Sequence, residues 1–200
     1  SKGVLAENLN VSKTVSEYES GGAACISVLT EKDYFNGSNE DLLEAKNSIN
    51  LPLLRKDFML DPIQIYESKM LGADCVLLIV SGLSQSTYKQ LFELASKLDL
   101  DVLTEVHDIY ELDFALSQNS KLIGINNRNL KSFDVDINTS IDLARTINDN
   151  DIVLVSESGI SSSSDIITLN SSGIYTFLVG EHLIKSKNIT NELGVLINGE

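Results

Sequence analysis

The sequence predicts an α/β fold, a (β/α)8 TIM barrel with seven of its eight strands present, on three observations. Short runs rich in Val, Ile and Leu recur about every 25 residues, the length of one strand-plus-helix unit. Within each run the apolar residues are continuous rather than alternating, as in parallel strands covered on both faces. No G-x-G-x-x-G turn follows an early strand, so an open dinucleotide-binding sheet is the weaker choice. No linker or low-complexity stretch interrupts the series, and residues 1–200 read as one barrel domain, incomplete at its N-terminus.

The expected strands are residues 24–29, 52–55, 75–80, 102–106, 122–125, 152–155 and 175–179. Helix punctuation lies between them. Asp61 precedes a first-turn Pro62, and Gln64 completes a capping box. Ile63, Tyr66, Glu67, Met70 and Leu71 then fall at helical spacing, with Gly72 stopping the helix. Tyr88, Leu91, Phe92 and Ala95 form a second stripe. Asp108 with Glu111 reads as another capping box, leading into Leu112, Ala115 and Leu116. Gly22-Ala23-Ala24-Cys25-Ile26 echoes Gly72-Ala73-Asp74-Cys75-Val76, each time where a helix gives way to a strand.

Composition bounds the partners. Lys plus Arg number 15 against 29 Asp plus Glu, a formal net charge of -14, so the chain lacks the basic footprint of a nucleic-acid binder. The longest expected apolar strand, residues 75–80, is far too short to cross a bilayer, and no membrane partner is expected. No charged-then-apolar leader is visible, which points to the cytoplasm. Cys25 and Cys75 give no disulfide framework, and the lone His107 and His182 have no metal-ligand spacing, so neither histidine is assigned any chemistry.

Barrel enzymes react at the C-terminal ends of their strands. Those ends read Thr30-Glu31, Arg55-Lys56-Asp57-Phe58, Glu105-Val106-His107, Asn126-Asn127-Arg128, Glu157-Ser158-Gly159 and Gly180-Glu181. Any one of these groups is most simply a polar residue turning into solvent, but their succession along the chain argues for a site. Gly159 leads into a serine run before a helix, and Gly180 into a short helix from about His182. Glycine loops of this kind ahead of helix N-termini form the usual barrel phosphate site, so a phosphorylated small molecule is the expected partner.

The chain resembles the indole-3-glycerol-phosphate synthase family. The resemblance rests on Ser1-Lys2-Gly3, Thr30-Glu31 with Tyr34-Phe35-Asn36-Gly37-Ser38, and Leu54-Arg55-Lys56-Asp57-Phe58. It continues through Gly72-Ala73-Asp74, Glu105-Val106-His107, Gly124-Ile125-Asn126-Asn127-Arg128-Asn129-Leu130, Ser156-Glu157-Ser158-Gly159-Ile160 and Phe177-Leu178-Val179-Gly180-Glu181. It implies ring closure of 1-(2-carboxyphenylamino)-1-deoxyribulose 5-phosphate with loss of carbon dioxide and water, and no cofactor. By resemblance Lys56 is the general acid, Glu105 the general base and Asn126 a hydrogen-bonding partner of the reacting region. Arg128 would face the substrate carboxylate, Glu157 orient Lys56, and Phe35 and Phe58 line the aromatic ring. Ser158, Gly159, Gly180 and Glu181 would bind phosphate, Glu181 through its backbone with its carboxylate turned outward.

The sequence opens at the last three residues of the family's Ser-Pro-Ser-Lys-Gly loop, and the strand before that loop, with its glutamate and lysine, does not appear. One alternative is therefore a truncated, inert fragment that keeps a phosphate-ligand pocket. Another is a related barrel such as a phosphoribosylanthranilate isomerase, against which the motifs around Lys56 and Asn126 speak.

Overall fold

The computed structural model describes residues 9–199. The Ser1-Lys2-Gly3 motif lies outside them. Seven strands form one parallel sheet in sequence order: β1 Ile26–Leu29, β2 Leu53–Lys56, β3 Cys75–Ile79, β4 Asp101–Val106, β5 Leu122–Asn126, β6 Val153–Glu157 and β7 Thr176–Leu178. Every expected run holds a strand, shifted by at most two residues at either end. Helices alternate with them: α1 Val11–Ser20, α2 Asn39–Ser48, α3 Pro62–Met70, α4 Gln85–Lys97, α5 Ile109–Ser117, α6 Asn138–Ala144, α7 Ser163–Asn170, α8 Glu181–Ile184 and α9 Ile189–Asn198. Among the described residues β1 pairs with β2 alone and β7 with β6 alone. The outer layer continues past those edges, because the Thr190 hydroxyl of α9 donates to the Glu17 carbonyl of α1 at 3.0 Å.

Strand parity divides the core in two. Leu53, Val76, Leu78, Ile123 and Ile125 face the helices and are buried against Leu42, Leu91 and Leu112. Residues of the opposite parity, Leu54, Leu77, Leu103 and Val155, meet on the concave face of the sheet. Each such side chain stabilises the fold by roughly 1.5–3 kcal/mol on burial. The sequence echo marks equivalent places in two units. Gly22 and Gly72 adopt φ +93 and +86 at the ends of α1 and α3, and the next amides, of Ala23 and Ala73, bond back to Tyr18 and Ser68.

Of the two expected capping boxes, the second requires correction. The capping box of α3 is present and the helix spans the expected residues; Ile63 is 66 %, Tyr66 47 % and Met70 87 % exposed, while Leu71 packs against the core. Ile65 and Ser68 face the sheet, where the buried Arg55 reaches the Ser68 hydroxyl at 3.2 Å. In α5, Asp108 caps the amides of Tyr110 and Glu111, but Glu111 does not close the box. Its carboxylate reaches past Asp108 to the His107 amide at 2.9 Å and the ring Nδ1 at 3.0 Å.

Candidate active site

The concave parity also holds an ionisable cluster. Lys56 follows Leu54 by two residues, Glu105 follows Leu103, Asn126 follows Gly124 and Glu157 follows Val155. Because side chains alternate across a strand, all four project to the same side, one layer above the apolar cluster at the C-terminal ends. Parallel register sets Asn126 opposite Glu157 and Glu105 opposite Gly124. Four strands thus bring together residues 101 positions apart in the chain.

Lys56 Nζ donates to Glu157 Oε2 at 3.0 Å and Glu105 Oε2 at 3.2 Å. Both carboxylates are almost fully buried, at 2 % and 3 % exposure. Arg55, of opposite parity, takes Asp57 at 3.1 Å and Glu67 at 2.7 Å on the helix side, so Asp57 does not compete for the lysine. Burial works against the ammonium of Lys56, but the charges of Glu157 and Glu105 more than offset it and raise its pKa. Burial also opposes ionisation of Glu105, yet Lys56, His107 and Asn126 together hold it well below the usual carboxylate range. For Glu157 burial wins, aided by repulsion from Glu105, and its pKa is raised. Its Oε1 is buried without a hydrogen-bond partner among the described residues.

Asn126 ties two parts of the mouth together. Its amide nitrogen donates to Glu105 Oε1 at 3.1 Å, while its oxygen accepts from Ser158 Oγ at 2.9 Å and the Arg128 amide at 3.0 Å. Ser158 stands at φ +66, a strained position for a residue with a side chain, and Gly159 follows at φ +82. A Cβ on Gly159 would crowd Val135, which the loop after β5 lays against it. Gly180 differs: its φ is -114 and a Cβ there would meet nothing. The loop just ahead of α7 is already served by the helix, since Asp165 accepts from the Ser161 and Ser162 amides, each at 3.0 Å. Glu181 does not simply turn outward. Its carboxylate lies 3.5 Å from the Arg128 guanidinium and 2.7 Å from Lys185 Nζ, both cations being within reach. Phe35 and Phe58 stack at 5.5 Å, half-exposed at the mouth rather than in the core. Two surface pockets of about 300 and 280 Å³ are lined from α4 and α5, and neither includes Lys56, Glu105 or Glu157.

The family model described as indole-3-glycerol phosphate synthase matches residues 1–196. The chain belongs to the indole-3-glycerol phosphate synthase family. It is 47% identical over 192 residues to an indole-3-glycerol phosphate synthase of Delftia acidovorans, covering 94% of this chain and 72% of that protein. Another, from Carboxydothermus hydrogenoformans, is 45% identical over 197 residues, covering 98% and 75%. Solved structures extend the likeness of fold alone. Thiamine phosphate pyrophosphorylase from Pyrococcus furiosus superposes with a TM-score of 0.70 at 14% identity, over 94% of this chain and 88% of that one. The N-acetylmannosamine-6-phosphate 2-epimerase of Clostridium perfringens gives 0.68 at 15%, over 86% and 78%. Parallel (β/α) barrel architecture is thereby shared well beyond the synthase family.

Two residues at this mouth carry no signal of chemistry in the sequence alone. Gly124 carried no chemistry of its own, and its signal was parity: it is the concave residue between Leu122 and Asn126, beside two carboxylates. His107 reads as a lone histidine in the sequence, yet it lies two residues beyond Glu105.

Proposed function

We propose that Lys56, Glu105 and Asn126 carry the ring closure of 1-(2-carboxyphenylamino)-1-deoxyribulose 5-phosphate to indole-3-glycerol phosphate. The chain is a carboxy-lyase of tryptophan biosynthesis by family. The observation that supports these roles is the bracketed ammonium, with Lys56 held charged between Glu105 and Glu157 at a strand-end mouth.

A strongly held ammonium is a poor acid at rest. It gives up its proton only to a much stronger base, such as a carbonyl oxygen acquiring alkoxide character while the aromatic carbon attacks. Carbon dioxide then leaves and restores the aromatic system. Once Lys56 is neutral, Glu105 has lost its closest cation and its basicity rises, so it takes the ring proton and delivers it to the departing hydroxyl, which leaves as water, and a solvent proton recharges Lys56. Glu157 orients Lys56. Asn126 bonds the reacting region. Arg128, with its planar fork, faces the substrate carboxylate, and Phe35 and Phe58 flank the aromatic ring. Phosphate falls to the backbone around Ser158, Gly159, Gly180 and Glu181, because Asp165 already takes the Ser161 and Ser162 amides ahead of α7. Among the described residues no helix is long and apolar enough to cross a membrane, and a cytoplasmic location with no nucleic-acid partner belongs to the same proposal.

A second reading is ligand binding at this mouth without turnover. One assay separates the two. The protein is given the carboxyphenylamino-deoxyribulose phosphate, and the indole chromophore and carbon dioxide are followed. Product formation that Lys56→Ala abolishes supports the catalytic roles; substrate binding with no product supports the second reading.

A further inference from the structure

We propose that His107 is a positioning residue of this site, an imidazolium that fixes Glu105 in its ionised, lysine-facing orientation and is itself locked by Glu111. The inference rests on the proposed role of Glu105. Geometry carries it. His107 directly follows β4 and shares the concave parity of Glu105. Its Nε2 lies 3.3 Å from Glu105 Oε1, an ion-pair contact that leaves the nitrogen without a hydrogen-bond partner, and its Nδ1 lies 3.0 Å from Glu111 Oε2. A neutral imidazole has one N–H and one lone pair, so one of these carboxylates would face a lone pair. Only the protonated ring suits both.

The surroundings agree. The His107 side chain is 14% exposed and Glu111 17%, so water screens these contacts little. Glu111 also accepts the His107 amide at 2.9 Å, which fixes ring and backbone with one carboxylate. The charged groups that bear on the ring are Glu105 from its own strand and Glu111 from α5. Behind Glu105 stand Lys56 from β2 and Glu157 from β6, and Asp108 is engaged in capping α5. Burial works against the charge, but the two carboxylates outweigh it and raise the His107 pKa to about 9. Glu105 therefore has a cation on each side, Lys56 at Oε2 and His107 at Oε1. Removing one leaves it less ionised and less fixed.

His107→Gln keeps a donor and loses the charge. The expected result is a tenfold or greater fall in kcat with KM within threefold, and an acid limb of the kcat profile displaced toward neutral pH. Glu111→Gln should move the same limb less far. A His107→Gln protein with native kcat and native pH profile overturns the inference, while loss of activity in Lys56→Ala keeps the proposed function standing. The native protein provides a test that needs no turnover and no altered fold. An NMR titration of the His107 ring should give a pKa above 8 that drops in Glu105→Gln; a value near 6.5 overturns the inference even if the chain makes no product.

Discussion

The carboxylate of Glu157 occupies the space that a side chain on Gly124 would fill, since a Cβ built on Gly124 overlaps Glu157 Oε1. That glycine is required by its neighbour, not by its own backbone. With any larger residue at 124 the Glu157 carboxylate cannot reach Lys56 in its present pose.

Gly124→Ala should therefore behave as a site mutation despite lying beneath the reacting groups. Overpacking of this kind costs about 1–3 kcal/mol of stability, and displacement of Glu157 should lower kcat by about tenfold or more. Combined with Glu157→Ala, the added methyl should have almost no further effect on kcat, because its obstruction is gone. Additive losses in that double-mutant cycle would separate the two residues.

Lys56→Ala should abolish ring closure while leaving substrate affinity within about tenfold (~1.4 kcal/mol). It should also destabilise the fold most at alkaline pH. Glu105 and Glu157 then face each other without the ammonium between them and both folded-state pKa values rise, so acidification, which protonates them, restores stability. Thermal melts from pH 5 to 9 measure this; a pH-independent loss contradicts it.

Glu105 and Glu157 should contribute to pH-dependent stability with opposite signs. Glu105 is lowered from 4.5 to about 2, so its contribution is complete above pH 4.5 and lost as pH falls toward 2. Glu157 is raised, so its contribution is complete below pH 4.5 and lost as pH rises through its folded-state value. Denaturant unfolding of the native protein against Glu105→Gln should converge on acidification to pH 2. Against Glu157→Gln, the native protein should gain relative stability as pH falls from neutrality toward 4.5.

The two loop glycines should differ on substitution. Gly159→Ala meets both a left-handed backbone and Val135, so it should cost about 1–3 kcal/mol and raise KM. Gly180→Ala meets neither, and its stability should stay within about 0.5 kcal/mol of native. If Gly180 carries phosphate on its backbone, its KM should nonetheless rise. Sulfate soaked into crystals should lie against the backbone of both, and density elsewhere alone would remove this assignment.

Periodicity and caps made the architecture legible: seven apolar runs at one spacing gave the strands, and Asp61-Pro62 gave the start of α3. Strand-end position alone gathered Lys56, Glu105, Asn126 and Glu157, because parallel strands of a barrel must all end at one mouth. The exposure of Ile63, Tyr66 and Met70 was not legible, because which face of α3 meets the sheet depends on another segment, where the buried Arg55 reaches Ser68.

The sequence by itself determined which residues alternate, where helices begin, and therefore which side chains reach the concave face. These are consequences of backbone geometry within a few residues. The tertiary structure alone decided that Glu111 leaves its capping box for His107, that Gly124 makes room for Glu157, and that Arg128 meets Glu181. Each depends on a distance between groups brought together by different elements. Burial then gives charge and volume at that distance their force, and no local pattern encodes it.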